Sequence, residues 1–409
     1  MELSKQNNLR VLSLFSGAGG MDLGLEGGFL THALSADCWF ENFTHQKFGE
    51  PQSPWVRVPG TRFKTIFAND INKDAKTAWT NYFAMRDGRP ADIYHLESVV
   101  DLVKRYETGD KTVFPKDIDV VTGGFPCQDF SVAGKRLGFN SNKNDQGTVR
   151  EDDSETSRGK LYYWMKRVID IVRPKLFIAE NVKGLLSLSD AFQIIREDFS
   201  KNNYYVVEPQ ILRAWEFGVP EKRERVIFIG VRQDALNESV YEKLVTGEIN
   251  LYPEATHSLG HNDELLDVVT CQDVLSHLKE PSEEVDDLSQ MCYSTAKYLG
   301  RKRQGQTEIS WNGLAPTIRS EHHGNIEYRR LSKEHGGEML EDNSGIERRL
   351  TPRECALIQT FPPDYEFVMK GDNKLTQSAA YKIIGNAVPP VLAYKIALHL
   401  EELWDSLFK

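Results

Sequence analysis

Short apolar runs recur along the first half of the chain, near 9–15, 65–69, 118–122, 175–179, 205–212 and 225–231, with stretches of helical spacing between them. Strands alternating with helices predict an α/β fold built on a doubly wound, mostly parallel sheet. The clearest helix spans 160–172, where Leu161, Met165, Val168, Ile169 and Val172 fall on one face and Pro174 ends the pattern. The strand pattern stops near 232, and a helical pattern over 378–402 reads as a return to the first unit. At 409 residues the chain is long enough for one large core and a second small one. The expected organisation is a discontinuous first domain, 1–234 with 375–409, enclosing a second, smaller domain over 235–374.

Two connections are longer than such a sheet requires. The crossover after the first helix carries Trp39, Phe40, Phe43, Phe48 and Trp55 with three prolines, and reads as a self-packed surface insertion. Residues 134–159 are polar, with Asn140, Asn142, Asn144, Asp145 and Gly147 followed by acids at 151, 152, 153 and 155, and read as a mobile lid.

Composition narrows the class. The chain is 40% apolar and 27% charged, as soluble globular proteins are. Its five cysteines (38, 127, 271, 292 and 355) are odd in number and widely spaced, which fits neither a disulfide framework nor a metal pattern and implies the reducing cytoplasm. No charged leader with an apolar stretch opens the chain, and no run near the ~18 apolar residues of a membrane span is expected, so neither export nor insertion is predicted. A net charge of −10 argues against nonspecific coating of nucleic acid. The charge is unevenly placed, however. Residues 253–294 carry ten acids against Lys279, whereas 296–335 carry eight bases against four acids, which predicts one face turned toward phosphate and a back turned away.

Four segments carry candidate chemistry. Gly123-Gly124-Phe125-Pro126-Cys127 follows the apolar run at 118–121, so a sharp, rigid turn would present the Cys127 thiol at a strand end, the place for a nucleophile. Alone, a cysteine is more often buried and inert. Leu12-Ser13-Leu14-Phe15-Ser16-Gly17-Ala18-Gly19-Gly20 has the strand, Gly-rich turn and helix order of a nucleotide-type cofactor site, or of a tight turn only. Phe177-Ile178-Ala179-Glu180-Asn181-Val182 delivers a carboxylate to the end of a strand, as a catalytic group, a cap or an ion pair. Arg223 and Arg225 open the strand 225–231 at the strand period, facing a site together or forming a solvated edge.

In this order the four segments resemble the DNA cytosine-5 methyltransferase family, of the bacterial restriction-modification type. Arg349-Leu350-Thr351-Pro352-Arg353-Glu354 with Gln359-Thr360-Phe361-Pro362, and then Gly385-Asn386-Ala387-Val388-Pro389-Pro390, are similar to that family's last two motifs. The likeness covers the chain apart from about 235–345. It implies the S-adenosylmethionine-dependent, Rossmann-like methyltransferase fold with a target-recognition domain.

The resemblance also implies roles. Cys127 would add to carbon 6 of a flipped-out cytosine, Glu180 would hold and protonate the N3 edge, and Arg223 and Arg225 would favour the thiolate. The cofactor S-adenosyl-L-methionine would contact Phe15, Gly17, Gly19 and Gly20 at the turn and Asp70 and Ile71 at the ribose and adenine. Asp92 and Ile93 would bracket the other adenine edge, with Pro126, Leu161, Asn386 and Val388 lining the rest. Asp70 stands where the family usually has Glu, Asp92 lacks the usual preceding Gly, and Glu221 replaces a common Gln. Gln128, Ser131, Arg319, Arg329 and Arg330 would bind double-stranded DNA, with His322, His323 and Asn325 near the base edges. No metal is expected. The expected setting is a cytoplasmic monomer, with a possible cognate restriction endonuclease acting on the same site without direct binding. Two rivals on the same scaffold are an RNA cytosine-5 methyltransferase, whose Cys-Phe-Thr signature this sequence lacks, and a catalytically inactive homologue, which would not retain Cys127, Glu180 and both arginines.

Overall fold

The computed structural model describes residues 7–36, 53–126, 161–260, 262–281, 286–300, 305–320, 326–338, 346–372 and 374–409. The first stretch runs from β1 (Leu9–Leu14) through α1 (Gly20–Glu26), β2 (Leu30–His32), the single-turn α2 (Ala33–Ala36) and β3 (Trp55–Arg57). Next come β4 (Phe63–Asn69), α3 (Lys73–Asp87), β5 (Tyr94–His95), α4 (Val99–Glu107) and β6 (Val120–Gly124). After α5 (Leu161–Val172), β7 (Leu176–Val182) and α6 (Ser189–Phe199), the strands β8 (Tyr204–Val206), β9 (Gln210–Arg213), β10 (Glu221–Lys222) and β11 (Glu224–Arg232) follow.

One sheet organises these strands in the order β5-β4-β1-β6-β7-β11-β8, with β9 also on β11. From β5 to β7 every neighbour is parallel, and β11 is antiparallel to β7, β8 and β9. The single run predicted over 205–212 is therefore two strands, bent apart but laid on the same partner. Successive side chains leave a strand on opposite faces. Accordingly Val11, Val120, Ile178, Ile227 and Ile229 enter one core, and Leu12, Val121, Phe177, Val226 and Phe228 another. The first face is covered by α1 and α3 and the second by α4, α5 and α6, which is the doubly wound arrangement the periodicity predicts.

The remaining elements are short until the C-terminus: α7 (Val240–Thr246), β12 (His257–Ser258), β13 (Leu266–Asp267), α8 (Cys271–Leu275), β14 (Ala315–Pro316), β15 (Tyr328–Arg330), β16 (Arg348–Arg349) and α9 (Pro352–Ile358). The helix predicted over 378–402 is two, α10 (Gln377–Asn386) and α11 (Pro390–Leu407). Ala387 leaves the helix in an extended conformation, and Pro389 and Pro390, which lack the N–H to continue one helix, start the next. Helix α11 packs directly on α1. At Gly24 of α1 an added Cβ would lie 2.4 Å from both Ala393 and the Pro390 carbonyl, so the two helices cross with no room for a side chain. The stretch 377–407 is also long and apolar enough for a membrane span, which the sequence reading did not anticipate, and 83% of its most apolar window is buried inside the protein. It is a core helix pair.

The predicted second small core is not separate among the described residues. Cys271, Val274, Ile309, Ala315, Ile318, Leu350 and Phe361 join the same cluster as α1 and α11. The alternation of acidic and basic stretches also has an internal use. Glu280 accepts from Arg330 at 2.8 Å and from Arg348 at 2.9 Å, Arg348 continues to Glu354 at 2.8 Å, and Asp287 holds Arg353. Burial opposes the charge on Glu280, but the hydrogen bonds and charges of Arg330 and Arg348 outweigh it and hold the carboxyl down to about 2. Because this lies below the ordinary 4.5, the pairing stabilises the protein above that value and is lost as pH falls from there toward 2. Glu280→Gln is expected to lower stability by about 1 kcal/mol at pH 7, because solvent screens a carboxyl that is a third exposed. Urea unfolding across pH should show the deficit shrinking through the acid limb, and a deficit constant down to pH 2 would contradict this account.

Candidate active site

The C-terminal ends of the parallel strands gather the candidate chemistry, as open α/β sheets do. Gly124 at the end of β6 lies level with Glu180 on β7, and Val182 lies level with Arg225 on β11. Across these three strands, Arg225 Nε reaches Glu180 Oε1 at 2.7 Å, with both side chains largely buried. A Cβ on Gly124 would come within 2.8 Å of Glu180 Oε2, so the carboxylate occupies the space that glycine leaves open. Phe125 is buried and Pro126 half-buried, and the chain leads directly from there to Cys127. Cys127, Gln128 and Ser131 themselves lie outside the described residues, as do the 134–159 loop, Trp39, Phe40, Phe43, Phe48, His322, His323 and Asn325.

Arg223 does not join Arg225 at Glu180. It precedes β11, is 1% exposed, and donates to the carbonyls of Ile318 (3.1 Å), Gly385 (3.4 Å) and Ala387 (2.7 Å), with Glu221 at 3.6 Å. Of the two guanidiniums expected to face the site together, only Arg225 meets Glu180. A charge buried among three carbonyls acts as a brace. Glu221, in the position of the common Gln, accepts from the Ile318 N–H at 2.6 Å, and β10 pairs with β14, so residues 315–318 are zipped onto the strand that leads to Arg225.

A second cluster surrounds the Gly-rich turn. Gly17 and Gly19 have φ of 55° and 77°, the left-handed region that favours glycine. The turn is pinned on all sides: Gly17 N–H donates to Asp70 Oδ2 at 3.0 Å, the Tyr94 hydroxyl donates to Gly17 O at 3.0 Å, and the Tyr365 hydroxyl donates to Ala18 O at 2.7 Å. Burial raises the Asp70 carboxyl above its usual range, and the N–H groups of Asn72 and Gly17 offset part of that. An added Cβ at Gly19 would strike Trp79 at 2.5 Å, and one at Gly20 the Val388 carbonyl at 2.2 Å. At Gly17 it would meet, among the described residues, only Phe15 O, at 4.0 Å. Gly19 and Gly20 therefore pack inward, and the open face of the turn is at Gly17.

Residues 9–402 match the C-5 cytosine-specific DNA methylase family. The chain belongs to that family. It is 32% identical to the type II methyltransferase M.BspRI of Lysinibacillus sphaericus, over 99% of this chain and 84% of the relative. It is 31% identical to M.BsuRI of Bacillus subtilis, over 96% and 79%. In fold it is similar to the Entamoeba histolytica methyltransferase EhMeth, with a TM-score of 0.56 and 16% identity over 98% and 99% of the two chains. A putative DNA modification methyltransferase encoded within an Escherichia coli prophage gives a TM-score of 0.52 and 20% identity over 97% and 100%. The protein is thus a DNA cytosine-5-methyltransferase, and the methyl donor of its family is S-adenosyl-L-methionine.

The residues around Gly17 fit that methyl donor. The open face at Gly17, the Asp70 carboxyl beside it, the exposed apolar Ile71 and the exposed Asn386 at the end of α10 offer a polar and an apolar surface to a nucleoside. Phe15 is half-buried against the second core, Leu161 is buried in it, and Val388 is buried with its carbonyl against Gly20, so these three support the surface from behind. Asp92 and Ile93 lie apart from the end of β4 where Asp70 stands. β5 runs parallel to β4 with His95 level with Asn69, so Asp92 and Ile93 precede the strand, and Leu96 and Glu97 stand beside Asp70 at the ligand end. Leu96 is 38% exposed, the apolar counterpart of Ile71. The signal that could have found it was the end of the Tyr94-His95 strand. The DNA-binding assignment of Arg329 and Arg330 is also corrected. Arg330 is 4% exposed on Glu280, and Arg329 lies 3.6 Å over the Trp311 ring, so neither is presented to phosphate. Arg319 remains exposed, with its backbone packed against Gly385. Among the described residues no group of three or more His, Cys, Asp or Glu side chains is placed to hold a metal.

Gly124→Ala tests the pocket directly, because its Cβ would meet, among the described residues, only the Glu180 carboxyl. Displacing that group while leaving the fold intact should lower kcat about tenfold to a hundredfold, with the thermal midpoint nearly unchanged. Parent-like turnover in a tritiated-methyl assay would show that the carboxylate position is not critical.

Proposed function

We propose that this methyltransferase modifies carbon 5 of a cytosine flipped out of a short, specific duplex sequence, through a covalent bond between Cys127 and carbon 6. It would be the modification enzyme of a type II restriction-modification system, active as a cytoplasmic monomer. Its product would protect host DNA from a nuclease that reads the same site without binding this chain. The observation that carries the reading is the Glu180 carboxylate, braced by Arg225 and packed over Gly124 just ahead of Cys127 in the chain. The relatives named type II methyltransferases, matched along nearly the whole chain, support the biological setting.

The chemistry follows from the substrate. Carbon 5 of cytosine is a weak nucleophile until the ring loses its aromaticity. The Cys127 thiolate adds to carbon 6, and the displaced electron pair moves through the ring to N3, which takes a proton from Glu180, the carboxylate having first been protonated from solvent before the site closes. The resulting enamine is nucleophilic at carbon 5. The bound cofactor supplies an electrophilic methyl group on sulfur. Once carbon 5 carries the methyl, loss of its proton to a base, elimination of the Cys127 thiolate and return of the N3 proton to Glu180 restore the aromatic ring. A free thiol near pKa ~8.5 is mostly protonated at neutral pH, so Arg225, rather than the distant-bonded Arg223, is the cation assigned to the site. Carbon 6 must be approached from above the ring plane, which requires the base to leave the stack at a cost of a few kcal/mol. Gln128 and Ser131 are the proposed holders of the opened DNA. Residues 235–374 are the proposed target-recognition part, with Arg319 as its assigned contact near the pocket.

Expression in a methylation-free host followed by bisulfite sequencing should reveal protected cytosines within one short motif, absent with Cys127→Ser. Protection that persists in Cys127→Ser would refute the covalent route, and absence of protection with the parent chain would refute the DNA specificity proposed. Glu180→Gln should cut the single-turnover rate by about a hundredfold or more while leaving the protected motif unchanged. A parent-like rate would remove Glu180 from the mechanism.

A further inference from the structure

Beneath the Gly-rich turn lies a cluster of aromatic side chains that no step of the reaction uses. Tyr365 is fully buried, stacks on Tyr82 with ring centroids 4.3 Å apart and on Phe367 at 4.4 Å, and meets Phe361 edge-on. This packing leaves its hydroxyl one direction, toward Ala18 O at 2.7 Å. Tyr94, 1% exposed at the start of β5, aims its hydroxyl at Gly17 O, 3.0 Å away. Adjacent carbonyls of the turn are thus held by two phenols from chain positions roughly 270 residues apart. Burial pushes both phenols well above their ordinary pKa, so both stay neutral donors at any working pH.

We infer that Tyr365 and Tyr94 are positioning residues of the cofactor site, acting through the Ala18 and Gly17 peptides to fix the open face of the turn at Gly17. The chain needs such a device because Gly17 and Gly19 hold left-handed conformations that glycine also readily abandons. Tyr365 is itself fixed. Arg353 Nη1 donates to Tyr365 O at 3.0 Å, Arg353 N donates to Ser289 O at 3.0 Å, and Ser289 Oγ accepts from the N–H groups of Phe367 and Val368. The cofactor turn is therefore complete only when the segment after α9 is docked against residues 287–289. The inference rests on the reading of the Gly17 turn as the cofactor seat.

Tyr365→Phe keeps the stacked ring and removes only the hydroxyl, and Tyr94→Phe does the same on the neighbouring peptide. Each should raise KM for S-adenosylmethionine, and the calorimetric Kd for S-adenosylhomocysteine, about three- to tenfold, the worth of one buried hydrogen bond. With saturating cofactor and unmethylated genomic DNA, kcat should stay within about twofold, because neither hydroxyl touches the reacting atoms. Parent-like S-adenosylhomocysteine affinity in both variants overturns the inference, as does a lowered kcat with unchanged affinity. If Tyr365→Phe does not fold, Tyr94→Phe alone decides. Asp70→Ala separates the two levels of argument. If it binds S-adenosylhomocysteine like the parent, the seat itself is wrongly assigned. If it binds weakly while both phenylalanine variants bind normally, only the positioning role fails.

Discussion

The buried guanidinium of Arg223 is the interaction on which the arrangement of the site depends. It binds carbonyls from Ile318, Gly385 and Ala387, segments that lie 95 to 164 residues away in the chain. A charge inside a protein is tolerated only when its donors are met, and each carbonyl left without its donor would lose about 1–3 kcal/mol. By satisfying them together, Arg223 fixes the 315–318 segment, the Asn386 turn and the lead into β11 at one point. Arg225 then follows on β11 with its side chain on Glu180. The brace and the arginine proposed for the site are two residues apart, and rigidity in one serves placement of the other.

Charge elsewhere in the molecule is handled in the same way. Glu280, Arg330, Arg348 and Glu354 form a continuous chain of ion pairs inside the region after β11, and Arg349 fills its interior with bonds to backbone carbonyls of Ala296, Gly305 and Ile326. Among the described residues this region has only short strands and helices, which make few backbone ladders of their own. Buried arginines with several donors each substitute for them. The same economy of regular structure explains why its apolar residues join the core around α1 and α11 instead of forming one apart.

At the cofactor end the constraint is close approach. Gly20 accepts the Val388 carbonyl into the space of a side chain, and Gly19 accepts the Trp79 indole, which in turn donates to the buried Asp22 at 2.8 Å. Burial raises the Asp22 carboxyl to about 6. Glycines that a motif reader assigns to the ligand thus divide into one that leaves its face open and two that are filled by protein.

The sequence by itself determined the sheet, its two buried faces, the order of the motifs and the placing of Glu180, Arg225, Gly17 and Asp70 at the ends of strands. Those features rest on local periodicity and on residue types at strand ends, which a chain carries wherever it folds. Tertiary structure alone decided which arginines face a site and which brace the interior, since the partners of Arg223, Arg329 and Arg330 come from distant segments or from a ring that no spacing reveals. It also set Leu96, not Asp92, beside Asp70, because the end of a parallel strand is fixed by its pairing direction with β4. Tyr365 was invisible for the same reason: a hydroxyl 347 residues from its acceptor leaves no local pattern. Hydrophobic burial is encoded in neighbours along the chain, whereas the partner of a buried polar group is chosen by whatever packing brings within 3 Å.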